Sequence, residues 1–408
     1  MNLIMVAPHF PLPTNTGSKT RTYNLLKRLG ARHNVSFACI DRGEVAEPDL
    51  AELGRVCSRL RVIRGAPVSR ARQAAWLMSG RPYHVSMFWS ASLESVVRGM
   101  VEAPGADAVL SSFLYMARAL PARLPAGMLA AVDQHNLDRV TWDGLRRGDP
   151  SPLVRLAAGW NYRKTCRYEL QQYRRFDLCF SVSEEDAAAT RLIAPAGLPV
   201  RVASNGVDVE AFRPAADGWD GEADSLLFFG TMNARMNADA VVYLVEEILP
   251  LIRTRRPGAR LSIVGQNPSA SVLKLGQRPG VSVLGEVPDV RPHVAAASVV
   301  MAPVRMGGGT KVKVLESMSM GRPVVATSHA CRGLAVQDGV DVSIADSPAE
   351  IAGRTVALLE DAEARRRMGA AARATVERLY SWDAIAALIS DEMEVALERK
   401  REAAGGRV

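Results

Sequence analysis

Arg305-Met306-Gly307-Gly308-Gly309-Thr310-Lys311-Val312-Lys313-Val314-Leu315-Glu316-Ser317-Met318-Ser319-Met320-Gly321-Arg322-Pro323-Val324-Val325-Ala326 is the stretch whose reading decides the fold. It follows an apolar strand at 298–302, opens a helix after Gly309 and returns to a strand at 323–327. A strand, a glycine-rich turn, a helix and a second strand are the repeat of a parallel sheet. Glycines at a helix start expose consecutive backbone N–H groups with no Cβ in the way. Lys311 and Lys313 set two positive charges beside the helix dipole. Gly307, Gly308, Gly309, Thr310 and the two lysines therefore read as a cradle for a diphosphate. Glu316 follows about two turns beyond Gly309, where a carboxylate can accept hydrogen bonds from a sugar or ribose diol. The plainer reading is a flexible loop with solvated lysines and a surface glutamate.

Outward from this stretch the pattern repeats. Strands are expected at 225–229, 261–264 and 281–284, and an amphipathic helix at 238–255. Helices at 348–360 and 362–379 close this half. The first half has its own series of strands, at 3–7, 35–40, 108–111, 129–133, 178–181 and 200–203. Helices are expected among them at 19–29 and 153–173. Between the halves, 205–224 is rich in Asn, Gly, Pro and Asp, which is linker composition. The expectation is an α/β chain with two doubly wound domains, 1–204 and 205–380, facing an interdomain cleft. Ligands in such sheets bind at the carboxyl ends of the strands.

The 408 residues suit two domains, and 48% hydrophobic with 23% charged residues is ordinary for a globular protein. The start, MNLIMVAPHFPLP, has no basic region before it and is broken by Pro8, Pro11 and Pro13, so it reads as a buried first strand. No apolar run approaches the roughly 20 residues of a membrane helix. Five scattered cysteines show neither metal spacing nor a disulfide framework, and a cytoplasmic location is the expectation. The net charge of +8 admits nucleic acid, anionic lipid or a polyanionic small substrate. No nucleic-acid motif accompanies it, so no nucleic-acid partner is expected. Much of the basicity lies at 70–81 and 155–175, which reads either as solvated helix faces or as peripheral contact with an anionic membrane. Trp76, Phe88, Trp89 and Trp160 are the candidate interfacial anchors.

Two further segments carry chemistry. The turn 11–20, with Gly17, lies between the first strand and first helix. It resembles a P-loop only superficially, because the order is Gly-Ser-Lys-Thr and the upstream glycine is missing. His135-Asn136 follows the strand at 129–133, and His135 is the titratable candidate there.

The run GGGTKVKVLESMSMGRPVVAT resembles the GT-4 family of retaining glycosyltransferases, in the subgroup with a GGGT-x-x-K loop, of the GT-B superfamily. Asn205-Gly206-Val207-Asp208 resembles the family's hinge, Leu284-Gly285 with Pro288-Asp289 its base-binding turn, and Tyr380-Ser381-Trp382 its crossing back to the first domain. The resemblance implies a GT-B fold of two Rossmann-like domains, the first completed by a C-terminal helix at 381–408. It implies that Gly17 lies against donor phosphates or the reacting hydroxyl and that His135 faces the transferred sugar. Gly308 and Gly309 would present N–H groups to sugar and diphosphate, Glu316 would bind the ribose, and the backbone at Val287 and Pro288 would read the base. The family's first glutamate falls on Gly308. The segment Gly230-Thr-Met-Asn-Ala-Arg235-Met-Asn237 has neither the usual Arg nor the usual Lys in place. Lys311 and Lys313 then supply the charge, with Arg235 as a third candidate.

The implied reaction is metal-independent, retaining transfer from a nucleotide-diphosphate sugar to a hydroxyl acceptor. No Asp-x-Asp motif or ligand cluster is present, and no cofactor is expected. UDP is the first-choice base and GDP the second. The acceptor is a lipid-linked saccharide, a polysaccharide or a natural product, and the sequence does not choose among them. Rival readings are a GT-B sugar-nucleotide epimerase or phosphorylase, and a non-catalytic sugar-nucleotide-binding partner.

Overall fold

The structure is a computed structural model that describes residues 1–14, 16–43, 45–65, 69–214, 221–307 and 312–405. Gly308, Gly309, Thr310 and Lys311 lie outside the described residues. The chain divides into one unit made of Met1–Ser204 with Ile385–Val408 and a second made of Asn205–Ala384.

The first unit is built on β1 (Asn2–Ala7), β2 (Asn34–Asp41), β3 (Arg59–Arg64), β4 (Ala108–Ser112), β5 (Leu129–Gln134), β6 (Leu178–Ser181) and β7 (Val200–Val202). They form one sheet in the order β3-β2-β1-β4-β5-β6-β7, with parallel pairing throughout. Strands β4 and β5 are buried along their whole length, which is why they open with the apolar runs 108–110 and 129–132. The sequence reading missed β3, Arg-Leu-Arg-Val-Ile-Arg. It is an edge strand whose arginines face water, and charge on an edge blocks unwanted pairing.

The second unit carries β8 (Ser225–Phe229), β9 (Arg260–Val264), β10 (Val281–Gly285), β11 (Val299–Ala302), β12 (Val324–Ala326) and β13 (Ser343–Ile344). The order is β10-β9-β8-β11-β12-β13, again parallel. The helix expected over 238–255 is three pieces: Arg235–Tyr243, a π turn at Leu244–Ile248, and Leu249–Arg255. Pro250 has no N–H to return to the preceding turn, and the wider turn upstream absorbs the fault.

Each sheet reverses its strand order once, between β1 and β4 in the first unit and between β8 and β11 in the second. Connections leave in opposite directions there, and in open parallel sheets ligands bind outside the carboxyl ends of the strands at such a point. The segment that opens the second unit is tied within that unit. Val207 N–H donates to Tyr380 O at 2.8 Å, and a Cβ on Gly206 would stand 2.7 Å from the Trp382 ring. Trp382 is buried, so glycine is required at that approach.

Candidate functional site

In the second unit the strand-order reversal is marked by Gly230, directly after β8, and by residues 303–307, directly after β11. The helix Val312–Ser319 brings Lys313 to this place. Its ammonium donates to Asn237 Oδ1 at 2.7 Å and lies 4.0 Å from the centre of the Phe228 ring. Phe228 is fully buried, so its ring face is a dry, electron-rich platform for a cation. Asn237 is fixed by its amide, which donates to Thr231 O at 2.9 Å. The 230–237 segment, which lacks the expected cations, thus supplies the acceptor that holds a lysine from the other side of the reversal. Gly230 has φ 149°, and a Cβ there would lie 2.8 Å from Lys313 Nζ. A side chain at 230 would push on the ammonium itself.

Glu316 is one helical turn beyond Lys313, on the same helix face. Burial pushes its carboxyl up to about 7, with Lys313 pulling the other way. Gly307 O accepts from His329 Nε2 at 2.8 Å, which anchors the start of the glycine run. Arg235 is exposed in the first turn of the helix Arg235–Tyr243, whose N-terminus has no side-chain cap. Val287 and Pro288 lie on the turn after β10, two strands away from β8. Val287 packs on the core, and Asp289 pins the turn by accepting Arg291 N–H at 2.9 Å. The structure therefore joins Lys313, Gly230 and Glu316 around one point, with Arg235 at a helix start nearby in sequence. Val287 and Pro288 stand at a separate strand end.

In the first unit His135 follows β5. Its Nε2 is 2.9 Å from Asp133 Oδ2. Asp133 and Arg21 are both fully buried, with Arg21 Nη2 at 2.6 Å from Oδ1 and Nε at 2.9 Å from Oδ2. Arg21 also donates to Ala203 O at 2.8 Å and Ser204 O at 2.7 Å. The guanidinium, helped by His135, holds the Asp133 carboxyl well below the usual range against the opposing effect of burial. Desolvation lowers His135, so the imidazole is neutral. An ionised Asp133 accepts from Nε2–H, and this places the His135 lone pair on Nδ1, which is buried without a hydrogen-bond partner among the described residues. Phe113, at φ 67°, sets its ring 4.2 Å from that imidazole, a strained residue at a strand end.

Gly17 opens the helix Gly17–Arg32, and among the described residues beyond its chain neighbours and its own helix backbone nothing lies within 4 Å of where its Cβ would stand. Its neighbour Ser18 has its Oγ 3.1 Å from His9 Nε2. Burial first, with smaller contributions from the neighbouring His135, Lys19 and Arg42, lowers His9 to about 4. The first unit thus presents two neutral imidazoles, one after β1 and one after β5. His9, Arg21, Asp133 and Asn237 escaped the sequence reading. His9 carried a signal, being the first polar residue beyond β1, but the Arg21–Asp133 pair spans 112 positions and no local pattern announces it.

Among the described residues no group of three or more His, Cys, Asp or Glu is arranged to hold a metal ion. No described helix is long and apolar enough to cross a membrane.

Residues 223–361 match the family model described as Glycosyl transferases group 1. A GDP-mannose-dependent alpha-(1-6)-phosphatidylinositol monomannoside mannosyltransferase of Mycobacterium tuberculosis is 32% identical over 217 residues, covering 46% of this chain and 53% of that one. A D-inositol 3-phosphate glycosyltransferase of Frankia alni is 31% identical over 195 residues, covering 42% of this chain and 47% of that one. The chain spans about half the length of the curated relatives it matches. Among solved structures, sucrose-phosphate synthase from Thermosynechococcus elongatus aligns with a TM-score of 0.65 at 17% identity, over 99% of this chain and 100% of that one. The fold is that of the GT-B proteins, and the second unit carries the glycosyl transferases group 1 match.

Proposed function

We propose that this protein is a glycosyltransferase that moves a sugar from a nucleotide-diphosphate sugar to a hydroxyl acceptor, with retention and without a resident metal. The observation that carries the reading is the Lys313 ammonium, held by Asn237 over Phe228 at the strand-order reversal of the second unit. Breaking a sugar–phosphate bond leaves negative charge on the departing diphosphate and positive charge on the ring. A cation fixed in advance in a dry place meets the first charge with no reorganisation. One such donor is typically worth about 3–4 kcal/mol of barrier. Lys311 and the N–H groups of 308–310 add to this role in the proposal, and Arg235 is a further candidate. Glu316 is assigned to the ribose hydroxyls, and the backbone at Val287 and Pro288 to the base. His135 is assigned to the transferred sugar, its neutral Nδ1 acting as a hydrogen-bond acceptor, and Gly17 to a phosphate or the reacting hydroxyl.

GDP-mannose dependence in the name of the mycobacterial relative favours a GDP-sugar over the UDP-sugar expected from sequence. The inositol-bearing acceptors in the relatives' names favour a phosphoinositide or inositol phosphate hydroxyl. The test is a thermal-shift screen over GDP-mannose, UDP-glucose, ADP-glucose and TDP-glucose, followed by turnover of the stabilising donor with phosphatidylinositol and with inositol phosphate. Stabilisation by one donor and release of its nucleoside diphosphate are expected. No stabilisation by any donor at millimolar concentration, with no nucleotide released, overturns the proposal.

A further inference from the structure

We propose that the uncovered face shared by the helices Arg70–Met78 and Pro152–Gln172 of the first unit docks on an anionic lipid bilayer. Leu153, Leu156 and Trp160 are 79%, 74% and 55% exposed, and their spacing puts them on one side of the helix. Met78 is 78% exposed at the end of the other helix, which buries none of its residues. The two helices are tied together, since Lys164 Nζ donates to Leu77 O and Ser79 O at 2.9 Å each. Large apolar side chains clustered this way on a soluble surface mark a contact site.

The charges choose the occupant. Arg155, Arg163 and Arg167 are exposed along the longer helix, and Arg70 and Arg72 along the shorter one. The longer helix has one acid, Glu169, which is buried, and the shorter helix has none. An apolar stripe bordered by arginines with no exposed acid suits the boundary between acyl chains and anionic headgroups. A second copy of this face would bring arginine against arginine, which opposes pairing.

The structure also redraws the anchors expected from sequence. Phe88 is buried in the core, and Trp89 donates to Glu94 between the guanidinium groups of Arg81 and Arg118. Trp76 packs edge-on against Tyr83. Of the four, Trp160 faces solvent.

The experiment is co-sedimentation of the full chain with vesicles of phosphatidylcholine and with equimolar phosphatidylcholine and phosphatidylglycerol. It compares wild type, the triple variant Leu153→Ser, Leu156→Ser, Trp160→Ser, and the triple variant Arg155→Gln, Arg163→Gln, Arg167→Gln. Wild type is expected to pellet with the anionic vesicles. Each arginine near such a surface changes partitioning about fivefold, so the arginine variant should bind about a hundredfold more weakly. The apolar variant should also remain in the supernatant, and both should keep wild-type melting temperatures because every substituted residue is exposed. Anionic vesicles that leave wild type in the supernatant at low salt, or variants that pellet as wild type does, overturn the proposal. So does a concentration-dependent dimer that the apolar variant abolishes, which would make the face a self-contact. None of these readouts depends on glycosyl transfer.

Discussion

Asp133→Asn should unsettle the first unit far more than an isosteric change elsewhere on its surface. The substitution removes the charge that Arg21 was buried to meet. Arg21 is 0% exposed, and both oxygens of Asp133 lie within 3 Å of its nitrogens. Asparagine keeps one acceptor but turns an NH2 group toward donors. Breaking one side of a buried pair costs about 3–5 kcal/mol, because the remaining charge is stranded. For a unit of roughly 200 residues this corresponds to a fall in Tm of about 6–20 °C. The assay is thermal unfolding, with the double variant Arg21→Met, Asp133→Leu alongside. The double variant should recover at least half of the loss, since no charge is left behind. The pH dependence follows from the lowered carboxyl. Its contribution is complete above the unfolded value near 4 and is lost as pH falls through the folded one, so Asp133→Asn has none of it to lose there. An Asp133→Asn protein melting within 2 °C of wild type at pH 7 would refute the reasoning.

Three other outcomes are expected. Donor affinity, measured by calorimetry, should fall about tenfold per pH unit below about 7 as Glu316 protonates, and Glu316→Gln should flatten that slope. His9 is neutral when folded down to about 4, so stability is lost as pH falls from about 6.5 to 4. The loss is roughly 3 kcal/mol, and acid titration of His9→Gln by circular dichroism should lack it. Gly230→Ala should fold but lose at least tenfold in turnover, because the new methyl, 2.8 Å from Lys313 Nζ, pushes the ammonium off its place.

Strands β4, β5, β8 and β11 were legible because both faces of a central parallel strand are buried and most of the sequence there is apolar. Edge strand β3 was not, since its arginines break that pattern, and two-residue β13 is too short to show one. The helix near 238–255 was visible as a period but not as three pieces, because a π turn upstream of Pro250 leaves the apolar spacing nearly intact. The glycine–lysine run suggests a phosphate-like ligand through local chemistry alone, and that reading is carried forward as part of the proposal. What holds Lys313 was not legible, because Asn237 is 76 positions away and becomes its partner only when β8 and β11 lie side by side. The same holds for the Arg21–Asp133–His135 chain, which joins a helix and a strand through the core of the first unit.

In the proposed reaction the ammonium of Lys313 acts on the leaving diphosphate. Single-turnover cleavage of the stabilising donor by Lys313→Met, with donor affinity measured in parallel, tests this most directly. A cleavage rate about 10²–10³ lower, with affinity changed far less and partial recovery in Lys313→Arg, is the expected result. Cleavage at the wild-type rate by the folded methionine variant would contradict it.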